Sequence, residues 1–246
     1  MERHVYLRMT ALEDRHWWFV ARRRILAEVL TRCIDLPASA DILEAGCGTG
    51  GNLAMLARFG RVRAIEPNAE ARALASGKGD FDIRDGRLPD GLPFAPDSFD
   101  LVAALDVVEH LDDDVASLRS LADVLRPDGH MLITVPAFAF LWSEHDVQHH
   151  HRRRYTKARL LRAVTDAGLA PVAASYFNTW LFPLAAAVRM AKNLLHIKGV
   201  DDDAMPPAVL NRLLAAVFAS ERWLIGRVPL PFGLSILMIC RKRPAD

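Results

Sequence analysis

The chain has little cysteine. Cys33, Cys47 and Cys240 are widely spaced and odd in number, which argues against a disulfide framework and for a reducing compartment. It has no excess of charge either. A formal net charge of +1 gives no global pull towards nucleic acid or acidic partners, so no nucleic acid is expected. No uninterrupted apolar run reaches the ~18 residues that a membrane span needs. The opening segment MERHVYLRMTALEDRHWW lacks the apolar stretch of a secretory signal. Internal repeats and low-complexity tracts are missing too. What is there is a chain of 246 residues, 51% of them hydrophobic, enough for one substantial core with a helical elaboration. The expectation is a cytoplasmic enzyme or binding domain.

The rest is organised around Asp41 to Leu53, DILEAGCGTGGNL. A short apolar run leads to an acid, alternating glycines and a helical pattern, which predicts a buried strand, a tight turn and a helix N-terminus. Glycine lets a ligand approach the backbone, and the free N–H groups of the new helix favour an anionic or carboxylate-bearing one. Two patterns fit this loop. Gly46, Gly48 and Gly51 fit the dinucleotide fingerprint, with Glu66 at the spacing of a ribose-binding acid. Gly46, Gly48 and Gly50, preceded by Glu44, fit E-x-G-x-G-x-G.

Helix is predicted over Met1 to Asp35, Asn52 to Phe59 and Ala69 to Ser76, the last capped by Asn68. A further helix starts at Asp112-Asp113-Asp114 and stops at the turn signature Arg126-Pro127-Asp128-Gly129. Strands are predicted at Asp41 to Ala45, Val62 to Glu66, Phe81 to Arg84, Phe99 to Leu105 and His130 to Val135, then at Leu169 to Phe177. Alternating strands and helices imply an α/β fold with a mainly parallel sheet, whose ligands bind beyond the carboxyl ends of the strands.

Six segments carry a family likeness in order and approximate spacing: Glu44 to Gly50, Glu66-Pro67-Asn68, Asp85-Gly86, Phe99 to Val102, Glu109-His110-Leu111 and Leu125 to Gly129. Together they resemble the class I S-adenosylmethionine (SAM)-dependent methyltransferases, strongly over about Asp41 to Pro136 and more loosely elsewhere. A nicotinamide dehydrogenase would explain only the first two. The resemblance implies a Rossmann-like seven-stranded, mostly parallel sheet in a single domain over 1–246, with Leu234 to Arg241 fitting the family's last strand. Residues 1–36 would be an N-terminal helical cover, 37–177 and 229–246 the sheet core, and 178–228 a helical insertion before the last strand.

It further implies SAM as cofactor. The backbone of Gly46, Cys47, Gly48 and Gly50, with Glu44 behind it, would face the methionine part of SAM. Glu66 would take the ribose hydroxyls, with Pro67 following it. Asp85 and the Gly86 backbone would meet the adenine, and Leu105 and Asp106 the sulfonium side. Bland alternatives stand beside these: Asp85-Gly86 is also an ordinary turn, and Glu66 a helix cap. The implied activity is methyl transfer to a small-molecule or glycan- or lipid-linked acceptor, at oxygen. The alternatives are a SAM- or nucleotide-binding protein without transferase activity, or an NAD(P)-dependent oxidoreductase.

Asp106, Glu109 and His110 are the catalytic candidates. The segment resembles one that binds Mg²⁺ in some O-methyltransferases, where His145 or His149 could be a later ligand. A metal-free site, in which His110 is more simply a base or an acceptor-orienting donor, is the reading preferred here. Trp18 and Arg22 belong to either a helix packed on the sheet edge with solvated arginines or a lid that binds a carboxylate. Ala137 to Tyr155 concentrates four histidines and three arginines. A W-S-x-H-D…H-x-R-R-Y-T segment is found in similar methyltransferases, and here it makes His145, His149, His151, Arg154 and Tyr155 candidates for substrate binding. A solvated basic surface, with Thr156 capping the next helix, is the other reading. The insertion holds two apolar helical patterns joined by the polar loop Lys198 to Asp203. It would be a cap on the sheet or a lid over a large or greasy acceptor, with peripheral contact at the inner membrane surface.

Overall fold

The computed structural model of the protein describes residues 3–195 and 204–243. Its centre is one seven-stranded sheet in the order β3-β2-β1-β4-β5-β7-β6. The strands are β1 (Ala40–Ala45), β2 (Gly60–Ile65), β3 (Asp82–Arg84), β4 (Phe99–Leu105), β5 (Leu125–Pro136), β6 (Leu169–Phe177) and β7 (Ser235–Lys242). The first five run parallel, and β7 lies antiparallel between β5 and β6. This is the expected Rossmann-like sheet, with a helical cover before it and a helical insertion before β7.

The helices are α1 (Arg3–Leu12), α2 (Trp17–Cys33), α3 (Leu53–Leu56), α4 (Ala69–Ser76), α5 (Asp114–Asp123), α6 (Glu144–Gln148), α7 (Lys157–Asp166), α8 (Phe182–Leu194) and α9 (Ala208–Ala219). Side chains of β4 alternate between the two faces of the sheet. Leu101, Ala103 and Leu105 pack with α2, α3 and α9, while Val102 and Ala104 pack with α5 and α7. That period of two, buried on both faces, gives a three-layer sandwich.

Three expectations are corrected. The N-terminal cover is two helices rather than one, because the polar run Glu13 to His16 breaks it and His16 caps α2 through the Trp18 N–H. The helix after the glycine loop is only α3. The Arg126-to-Gly129 signature does not lie outside the sheet but forms a bulge within β5, where the pairing jumps from Phe99↔Leu125 to Leu101↔His130. The Arg126 guanidinium ties that bulge to Asp41 and Asp100, holding β1, β4 and β5 together at the end opposite the carboxyl ends. Asn68 and Thr156 cap α4 and α7 as expected. The predicted loop Lys198 to Asp203 lies outside the described residues.

Candidate functional site

The parallel strands all end on one edge of the sheet, and a cavity of about 850 Å³ opens there. Gly46, Gly48 and Gly50 carry φ of 67°, 54° and 85°, a backbone that side chains with a Cβ rarely adopt. At Gly46 space is short as well, since a Cβ would stand 2.9 Å from Val107 Cγ2. The turn therefore brings bare backbone to the cavity wall. Glu66, at the end of β2, is nearly buried. It accepts hydrogen bonds from Gly48 N at 2.9 Å and Asn68 N at 3.0 Å. Burial raises its pKa, and the two backbone donors pull the other way. Gly46, Cys47, Gly48, Glu66, Pro67, Gly86, Leu105 and Asp106 all line the cavity.

Three cofactor candidates stand apart from the lining. Glu44 is buried behind the loop, where Asn52 Nδ2 donates to it at 2.9 Å, and burial pushes its pKa up to about 7. Gly50 packs against Ala75 and Leu53 rather than the cavity. The Asp85 carboxylate points outward to Arg72 at 3.0 Å and is 65% exposed; only its neighbour Gly86 reaches the lining.

Arg22 departs from the solvated reading. It is buried, and its Nη2 donates to Thr134 Oγ1 and Asp106 Oδ2, both at 2.7 Å. Its guanidinium lies over the Trp18 ring at 5.0 Å. Thr134 in turn donates to Asp106 Oδ1 at 3.0 Å. Asp106 itself sits at φ 59°, so this triangle fixes a strained turn just after β4.

That turn runs into a single 3-10 turn at Val108–His110. Glu109 is fully buried, and neither carboxylate oxygen has a hydrogen-bond partner among the described residues. Burial, then the Asp106 charge, raises its pKa well above the carboxylate range. His110 is driven the opposite way, down to about 3, by burial and then by His151 and His149. It is a neutral imidazole at ordinary pH.

The histidine-rich segment closes the cavity from the other side. Asp146 organises it: Arg154 Nε and Nη2 bind its two oxygens at 2.8 and 2.9 Å, His151 Nδ1 lies 2.8 Å away, and Ser143 N donates at 2.8 Å. Burial opposes the Asp146 charge, but the His151 and Arg154 hydrogen bonds hold its pKa below the usual carboxylate range. His145, His149, His151 and Arg154 line the cavity, with the His151 ring 4.7 Å from that of His110. Arg154 is committed to Asp146. Tyr155 is fully buried, donates to Asp114 at 2.6 Å and is not part of the lining.

Several lining residues carry no motif in the sequence. Tyr6, Met9 and Glu13 of the cover lie over the loop, Asn178 and Leu181 come from the turn between β6 and α8, and Ala185 and Val188 from α8. Glu13 Oε2 accepts from Thr49 Oγ1 at 2.6 Å. No local pattern flags it, because its burial follows from the packing of the cover on the loop. The insertion divides its roles: α9 packs on α2, with Trp17 and Phe218 rings 5.9 Å apart, while α8 flanks the cavity mouth.

The description "Methyltransferase domain" fits a family model matching residues 18–174. The chain belongs to the class I SAM-dependent methyltransferases. A probable S-adenosylmethionine-dependent methyltransferase of Mycolicibacterium smegmatis is 32% identical over 128 residues, 51% of this chain and 48% of that one. A ubiquinone biosynthesis O-methyltransferase of Xanthomonas euvesicatoria is 29% identical over 190 residues, covering 66% of this chain and 78% of that one. The chain thus spans about half the length of the first of these relatives. In fold it is similar to a chain of the Haloferax volcanii complex between the Trm112 methyltransferase activator and a methyltransferase. The TM-score is 0.66 at 20% identity, over 99% of this chain and 96% of that one.

Proposed function

We propose that this methyltransferase binds SAM between the glycine loop and the N-terminal cover and transfers its methyl group to an oxygen of a small or lipid- or glycan-linked acceptor. The observation that carries the reading is Glu109, a buried carboxyl group with both oxygens unpartnered at the wall where the glycine loop meets the histidine segment. An acceptor hydroxyl would satisfy it. The acceptor oxygen attacks the methyl carbon in line with the C–S bond, S-adenosylhomocysteine (SAH) leaves, and the hydroxyl proton passes to Glu109. Geometry supports that role, since both Glu109 oxygens are unpartnered at the cavity wall, whereas His110, held down to about 3, is a weak base. In this reading Glu109 is the base, and neutral His110 takes the acceptor-orienting role that the sequence also allowed it. Arg22 holds Asp106 beside the sulfonium side, and the apolar side chains around the site exclude water, so positioning carries much of the rate. The O-methyltransferase name of the Xanthomonas relative supports oxygen as the acceptor atom.

A second reading has one observation in its favour. Donor atoms of Glu109, His110 and His151 all lie within 4.8 Å of one another, a set that would hold a divalent cation. Such an ion would lower the pKa of an acceptor hydroxyl.

Among the described residues no helix is long and apolar enough to cross a membrane. Exposed Leu184, Val209 and Leu213 on α8 and α9 support contact with the inner membrane surface when the acceptor is lipid-linked.

The test incubates labelled SAM with fractionated polar and lipid extracts, follows SAH and labelled product, and repeats the assay in EDTA and with Glu109→Gln. Labelled product that persists in EDTA and collapses in the variant supports the metal-free reading. Loss in EDTA with recovery on Mg²⁺ or Mn²⁺ selects the metal. SAM binding without any labelled product would leave a binding protein.

A further inference from the structure

Asn178 follows the last residue of β6 and has φ 58°. Its backbone is held there by Glu221, a fully buried acid that accepts from Asn178 N at 2.7 Å, Thr179 N at 2.6 Å and Trp180 N at 2.9 Å. Thr179 Oγ1 adds a hydrogen bond to Phe232 O at 2.6 Å. Three N–H groups converging on one carboxylate leave the turn little freedom. The Asn178 side chain is fully buried at the cavity wall, yet neither Oδ1 nor Nδ2 has a hydrogen-bond partner among the described residues. A buried carboxamide without partners costs stability, and buried polar groups in folded chains are nearly always paired. A backbone clamped this firmly around an unpaired amide is the arrangement of a binding group awaiting its ligand.

We propose that Asn178 is a specificity-determining residue for the methyl acceptor, reading a pair of adjacent oxygens, at least one of them a hydroxyl. The inference rests on the methyl-acceptor reading of the cavity. A carboxamide presents one acceptor and two donors side by side. A vicinal diol complements it: one hydroxyl donates to Oδ1 while the neighbouring oxygen accepts from Nδ2. The same cavity is lined by Leu181 before α8, by Leu184, Ala185 and Val188 of α8 and by Leu214 of α9, a mainly apolar stretch that also carries Arg189. The acceptor class is therefore an amphiphile with a paired-oxygen head and a hydrocarbon body. A single hydroxyl on the same body leaves half of the carboxamide unpaired, which is the basis of the discrimination.

The probes are a vicinal hexanediol and hexanol, titrated by NMR into the full chain with SAH bound. The parent is expected to prefer the diol about tenfold, the worth of one good hydrogen bond. Asn178→Gly keeps the positive φ and removes the carboxamide. It should bind both probes alike and melt no lower than the parent, because a penalty has been removed. Asn178→Ala also removes the carboxamide and should likewise lose the preference. Equal binding of the two probes by the parent overturns the proposal, as does failure of the diol to bind. A preference that survives in both variants, or a large fall in melting temperature for Asn178→Gly with the preference intact, returns Asn178 to a structural role and also overturns it. Failure of SAH to bind the parent would instead count against the methyltransferase reading, so the two failures are distinguishable.

Discussion

Glu66 Oε2 and Gly48 N lie 2.9 Å apart, so the acid at the end of β2 is tied directly to the glycine loop at the end of β1. The parallel pairing of Ala45 with Ile65 sets this register. One carboxylate thus shapes the loop and faces the cavity. Glu66→Ala is expected to weaken SAM binding by about 1–3 kcal/mol, the worth of charge-assisted hydrogen bonds to a ligand. Calorimetry reads this directly, and unchanged affinity would remove Glu66 from the ribose role.

The cover is latched over the same loop. Lys78 Nζ lies 2.7 Å from Glu13 Oε1, and Thr49 donates to the other oxygen. A Cβ on Gly51 would come within 2.5 Å of Glu13 Oε2, so glycine there lets the acid seat. With SAM seated between loop and cover as proposed, cofactor exchange passes this contact. Lys78→Met should speed SAH release several-fold in stopped-flow measurements while leaving the melting temperature within a few degrees. An unchanged release rate would mean that the cover opens elsewhere.

Glu44 gives a pH prediction. Its folded pKa of about 7 lies above the value of 4.5 that it has when exposed. Between those two values the folded chain keeps a proton that the unfolded chain has lost. The stabilisation from this group is full below pH about 4.5 and is lost as pH rises through about 7. Glu44→Gln keeps an acceptor for Asn52 and removes the titration. The variant should melt close to the parent at the acid end and above it at pH about 8. Parallel melting curves for the two proteins across this range would show that Glu44 titrates normally.

Much of this arrangement was legible because it depends on local rules. Strand ends follow from apolar runs, the Asn68 and Thr156 caps from the residues themselves, and the positive-φ turns from Gly46 to Gly50. The direction of Arg22 was not legible: periodicity puts it on a helix, but only packing of α2 across β5 brings it to Thr134 and Asp106. The break between α1 and α2 was hidden because Glu13 to His16 contains no glycine or proline. Asn178 depends on Glu221, 43 positions away, and no local pattern links them. The opposite pKa shifts of Glu109 and His110 have the same origin, since burial and neighbouring charges set both.

The central claim is that the cavity above the glycine loop is a SAM site, and calorimetric titration of the full chain with SAM and, separately, with NADH tests it most directly. The account predicts saturable one-to-one binding of SAM that is weakened in Glu66→Ala, and no binding of NADH. Binding of NADH with none of SAM would contradict it.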